Sequence, residues 1–162
     1  MVKLIALDNA TATGGYAIFY DEELIESGIF TAKGDLEERL IIMKHHIIDK
    51  CNEHKINALI MEQEQVHKIG NVTNALCKLQ GVTLSVTDDL QLAYYIVPIN
   101  TWRISVGIKH NMKRELQKAE AIKKVKSLYY VDTKSDDEAE AILIGRYAIK
   151  NKLFVDRVQK VW

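Results

Sequence analysis

Lys3–Phe19 reads KLIALDNATATGGYAIF, and its reading decides the fold. Leu4 to Leu7 is a short apolar run and Ala17–Tyr20 a second. Between them stand Asp8, a stretch of small and hydroxyl residues, and Gly14-Gly15. Two apolar runs separated by a glycine-rich turn predict the adjacent strands of a β-hairpin. Asp8 is the residue out of place. A carboxylate ending a buried strand must be paired, bound to a cation or left with a desolvation penalty. The plain reading is a side chain capping the turn, so the acids elsewhere in the chain carry the decision.

Downstream, Leu24–Phe30 predicts a third strand after the turn residues Asp21, Glu22 and Glu23, which makes an antiparallel meander. Asp35 and Glu38 form a capping-box pattern at the start of a helix. Leu36, Leu40, Met43, Ile47 and Cys51 place one stripe of that helix on the core. Asn57–Met61 predicts a fourth strand with Glu62 at its end, and a helix between strands suits a strand four parallel to strand one. A second long helix is predicted from about Asn71, with Val72, Ala75, Leu76, Leu79, Val82 and Val86 on one face and Gly81 inside it. Tyr94–Pro98 predicts a fifth strand. A loop or short helix over Asn100–Ile108 carries Trp102 and Arg103, a basic helix covers roughly Met112–Leu128, and a last helix runs from about Ser135 to Lys150. Leu153–Trp162 has strand-like composition without a firm pattern.

The chain has 162 residues, 48% apolar and 27% charged, which predicts one domain, 1–162, with an ordinary core. Cys51 and Cys77 both fall in helical patterns and have neither disulfide nor zinc-ligand spacing. Asp8 interrupts the first apolar run after four residues, and no stretch is long enough for a membrane span, so a cytoplasmic protein is expected. Net charge is zero, but residues 1–62 carry eleven acids against six bases, about −5. Residues 103–126 carry eight bases against two acids, about +6. Such a block reads either as a solvated helix face or as a surface for a polyanion.

If strands one and four are parallel neighbours, Asp8 and Glu62 emerge at one edge of the sheet. Asp137 and Glu140, in SDDEAEAILIG, share a helical face. The stripe Ala141, Ile144 and Ala148 lays that helix on the sheet and brings its first turn to the same edge. Acids at a helix start also compensate its dipole, but that does not explain the two at strand ends. Converging carboxylates repel, and hard divalent cations such as Mg²⁺ or Mn²⁺ relieve the repulsion. Two such ions about 4 Å apart are the recurring arrangement for phosphodiester cleavage.

With these residues in view, the chain resembles the RuvC family of Holliday-junction resolvases, the small phage-encoded branch in particular. The matching pieces are LIALDNATATGGYAIF, ALIMEQ, KLQGV, VPINTWRISVGI, KRELQKAEAIK and DDEAEAILIG, which cover most of the chain in family order. The resemblance implies a ribonuclease-H-like α/β fold, a mixed five-stranded sheet flanked by helices. It implies a homodimer that makes Mg²⁺-dependent paired nicks in four-way and other branched DNA, with two ions per site and Mn²⁺ able to substitute. The family's acidic ligands fall on Asp8, Glu62, Asp137 and Glu140. Its basic DNA-contacting positions map onto Lys113 and, by proximity, Arg103, Arg114 and Lys118, with Lys109 in the same block.

The chain departs from the family at several points. Gly14 stands where a hydroxyl residue is usual, and Glu140 where Asp is commoner. Glu64 offers a second ligand register two residues beyond Glu62. The aromatic residue expected after the Glu62 strand has His67 as its nearest counterpart. The apolar surface of the Asn71–Thr87 helix extends to Cys77 and Leu84, wider than one partner needs, and predicts a dimer seam centred on Leu79 and Gly81. Two other readings stay open: an actin-like ATP-binding domain, whose first strand also ends in Asp before a Gly/Thr turn, and a non-catalytic DNA-binding module with the same fold.

Overall fold

A computed structural model of the chain describes residues 1–64, 70–109 and 111–154. His67 and the chain after Phe154 therefore lie outside the described residues. The meander forms as predicted: β1 (Lys3–Asp8), β2 (Thr13–Tyr20) and β3 (Glu23–Thr31) pair antiparallel in sequence. After α1 (Leu36–His54), β4 (Ala58–Glu62) pairs parallel to β1. After α2 (Asn71–Asp89), β5 (Ala93–Val97) pairs parallel to β4. The sheet order is β3-β2-β1-β4-β5. Three helices follow: α3 (Ile99–Ser105), α4 (Arg114–Tyr129) and α5 (Asp136–Lys150). Among the described residues no helix is long and apolar enough to cross a membrane.

Side-chain alternation along the strands divides the core into two layers. Ile5, Leu7, Ile18, Leu59 and Met61 face α1 and α2. Leu4, Ala6, Ala17, Phe19, Ala58 and Ile60 face α3, α4 and α5. The alanines on the second face let α5 lie close across β1, β2 and β4. Gly145 completes this fit, because a Cβ there would run into the Phe19 ring. α1 begins with the predicted capping box, Asp35 and Glu38 each satisfying the other's backbone amide.

The structure departs from the sequence expectation at two points. Gly14 and Gly15 do not close the turn; β2 begins at Thr13, and Gly15 pairs with Asp8 inside the ladder. The predicted stripe of α2 is also rotated. Ala75, Leu79, Thr83, Val86 and Thr87 are buried, whereas Val72 is 75% exposed. Thr83 is tolerated in the core because its hydroxyl donates to the Leu79 carbonyl at 2.9 Å and faces the Asn9 amide at 3.4 Å. Hydropathy alone left that threonine out of the stripe.

Candidate metal centre and nucleic-acid face

The parallel register of β1 and β4 pairs Leu7 with Met61, so Asp8 and Glu62 leave the sheet side by side. α5 enters above them. Its N-terminus is secured by Ser135, whose hydroxyl accepts from the Glu138 amide, and by the buried Glu138 itself. Glu138 accepts from Ser27 Oγ at 2.7 Å and from the Lys134 amide at 2.6 Å. The run Asp136-Asp137-Glu138 thus has three uses. Glu138 ties α5 to β3, Asp136 pairs with Lys118, and Asp137 acts on Asp8.

The electrostatics mark one acidic locus. Desolvation pushes the Asp8 carboxyl well above its ordinary range, and repulsion from Glu140, Glu62 and Asp137 adds to this, while Arg103 opposes it. Burial raises Glu62 to about 7, with Trp102 pulling down and Glu140 pushing up. Glu64 is also raised to about 7, by burial alone. Glu140 and Asp137 are raised as well, each chiefly by burial.

Two contacts absent from the sequence reading shape this locus. The fully buried Trp102 donates from Nε1 to Glu62 Oε2 at 2.7 Å. Arg103, the next residue, donates from Nη2 to Glu140 Oε1 at 2.6 Å and from Nη1 to Gln117 Oε1 at 3.0 Å. Arg103 is only 8% exposed, so it does not share the surface of the other basic candidates. An indole and a guanidinium next to each other on a short helix carry no periodic signature; the VPINTWRISVGI match was the cue the sequence offered. Glu62 ends β4 and holds this contact, whereas Glu64 lies past the strand with its amide donating to Gln80 Oε1 at 3.1 Å.

Lys109, Lys113 and Arg114 are exposed just before and at the start of α4, and Lys118 follows one turn on, half-buried against Asp136. Both Arg114 and Lys118 act on Asp137, so this basic row borders the acids.

The donor set fits hard divalent cations: carboxylates only, desolvated, with their charge partly met by a guanidinium. Arg103 Nε is buried without a hydrogen-bond partner, so the guanidinium is not fully satisfied where it sits. Among the described residues, the one group of three His, Cys, Asp or Glu side chains whose ligand atoms lie within 4.8 Å of one another is elsewhere, at Glu26, Glu53 and His54. The Asp8 locus is therefore spread more widely. In the Glu26 group Lys50 takes the cation's place, 2.7 Å from Glu26 and 2.8 Å from Glu53, and Tyr16 donates to Glu26 at 2.5 Å. That cluster is an ion-pair network tying α1 to β3.

The sequence matches no family profile and no curated protein. The fold, by contrast, is that of the ribonuclease-H-like resolvases. Thermus thermophilus RuvC superposes with a TM-score of 0.76 at 11% identity, over 94% of this chain and 96% of that one. The same protein in complex with a Holliday junction substrate gives 0.77 at 10% identity, with the same coverage. The yeast mitochondrial Holliday junction resolvase gives 0.65 at 10% identity, over 99% and 85% of the two chains. The Fowlpox virus resolvase, solved with Holliday junction DNA, gives 0.59 at 14% identity, over 91% and 99%.

Proposed function

We propose that this chain is a metal-dependent, structure-specific endodeoxyribonuclease that resolves four-way DNA junctions by paired nicks, acting as a homodimer with one catalytic domain per protomer. The observation carrying this reading is the meeting of Asp8, Glu62, Asp137 and Glu140 at one end of the β1–β4 pair. The exposed bases of α4 beside them, and the likeness in fold to proteins solved with Holliday junctions, support it.

Asp8 would hold a divalent cation together with Glu62 on the β4 side and Asp137 and Glu140 on the α5 side. Divalent cations held there, Mg²⁺ or Mn²⁺, supply Lewis acidity that activates water and neutralises charge on a scissile phosphodiester. Trp102 keeps Glu62 oriented by donating from Nε1 to its Oε2. Lys109, Lys113 and Arg114 contact phosphates and set the register of the duplex arms, which makes affinity salt-dependent. A two-fold dimer presents two such sites to the two equivalent strands of a four-way junction.

The test is a cleavage assay on four-way, three-way, flap and linear duplex DNA with Mg²⁺ or Mn²⁺, alongside Asp8→Asn. Paired nicks in the junction, lost in Asp8→Asn while junction binding persists, are expected. Binding without cleavage by the unaltered protein under either metal would favour the non-catalytic module.

A further inference from the structure

Trp102 and Arg103 are consecutive on α3, and each holds one acid of the site, Glu62 and Glu140 respectively. The pair is stiffened by the Arg103 guanidinium lying 5.2 Å from the Trp102 ring. From the other side Gln117 on α4 accepts from Arg103 and anchors itself by donating from Nε2 to the Lys109 carbonyl at 3.0 Å. The guanidinium is thus aimed from two helices at one carboxylate. It sits where like-charged acids would otherwise face one another without compensation.

We propose that Arg103 is a resident counterion of the acidic site, which occupies Glu140 until a divalent cation takes that carboxylate from it. α3 thereby sets how tightly the site loads metal. This rests on the reading of the four acids as metal ligands. Arg103 holds Glu140 Oε1 and would compete with a cation for that carboxylate and repel it, so the ion pair lowers metal affinity while it keeps the metal-free site folded. Arg103 is a positioning residue in this scheme, and its effect on affinity has a sign. A merely structural brace would lose metal affinity when removed; a competing counterion gains it.

The experiment is calorimetric titration of the full chain with Mn²⁺, for the unaltered protein and for Arg103→Gln, Arg103→Lys and Asp8→Asn. Asp8→Asn should lose most of the binding. Arg103→Gln should bind about tenfold more tightly or better, a lower bound, because the full repulsion between a nearby unit charge and the cation at an effective dielectric of about 20 exceeds this before solvent screening. Arg103→Lys keeps the charge but loses the two-pronged contact, so its affinity should rise a few-fold. Thermal unfolding gives a second readout: Arg103→Gln should melt lower than the unaltered protein without metal and gain more from Mn²⁺. If Arg103→Gln does not fold, Arg103→Lys decides, and unchanged or weaker Mn²⁺ binding there overturns the counterion. Unchanged or weaker binding in folded Arg103→Gln, with Asp8→Asn still defective, overturns it equally and leaves the metal site standing. No Mn²⁺ binding to the unaltered protein, or full binding by Asp8→Asn, overturns the site reading instead.

Discussion

Gly15 on β2 lies directly against the carbonyl of Asp137 at the start of α5, with no room between them for a Cβ. The same Gly15 pairs with Asp8 across the β1–β2 ladder. One glycine therefore sets how closely the α5 acids approach the strand-end acid. The obstacle is backbone, which cannot swing aside as the end of a side chain could.

Gly15→Ala should cost about 1–3 kcal/mol, as overpacking does, and should reduce cleavage more than junction binding, because α5 must back away with Asp137 and Glu140. Thermal melts and parallel binding and cleavage assays read this. Unchanged stability and activity would mean that α5 shifts freely.

Glu62→Gln should be inactive, and Glu64→Gln should keep at least partial activity, since only Glu62 ends the strand and is held by Trp102. Trp102→Phe removes the donor but keeps most of the buried ring, and should lower activity roughly 10–100-fold, as loss of a partner orienting a metal ligand does. Single-turnover cleavage by the three variants makes the comparison; an inactive Glu64→Gln beside an active Glu62→Gln would move the site by two residues.

The metal-free protein should lose stability as pH rises from 5 to 7.5. Glu62 and Glu64 are raised to about 7 in the folded state, so their contribution is fully present below the ordinary Glu value and disappears as pH passes through 7. The loss should be roughly 2 kcal/mol per group or less. Glu26, lowered to about 2 despite its own desolvation by the bonds from Lys50, Tyr16 and His54, acts in the opposite sense. Its contribution is lost only in stronger acid, outside this window. Melts in a chelator across the range, repeated with Mn²⁺, test the sign: metal should restore stability at pH 7.5 and do little at pH 5. A chelated protein more stable at pH 7.5 than at pH 5 would contradict it.

Lys113→Ala with Arg114→Ala should weaken junction binding and flatten its dependence on salt by about one unit of slope per lost phosphate contact. Lys118→Ala is different in kind, because it also frees Asp136 beside Asp137, and should impair cleavage beyond its effect on binding. Binding measured at several salt concentrations separates the two.

Leu79 is 1% exposed in the folded chain, so Leu79→Glu should unfold it rather than give a folded monomer, at a cost of several kcal/mol. The outward face of α2 carries Val72, Cys77 and Gly81, with open space around Gly81. If the protomers pair through that face, Val72→Glu or Gly81→Glu should give a folded monomer that nicks without paired cutting. Sedimentation and a supercoiled cruciform assay would show it.

The order of strands and helices was legible in the sequence because it rests on local periodicity: the apolar runs of the meander, the capping box at Asp35, the spacing Leu40, Met43, Ile47 and Cys51. The candidacy of Asp8, Glu62, Asp137 and Glu140 was legible too, since carboxylates at strand ends and on one helical face follow from the same periods. What only the tertiary structure decided lies in contacts between residues far apart in the chain. Gly15 reads as a turn residue until α5 is laid on it, and Thr83 as a polar interruption until Asn9 and the Leu79 carbonyl surround it. Arg103 reads as one more base in a basic block, yet packing of α3 beneath α5 buries it against Glu140. Composition and spacing record which charges a segment carries. Whether a charge meets solvent, a nucleic acid or another side chain depends on which helix covers it, and that is settled by the global packing of the sheet's two faces.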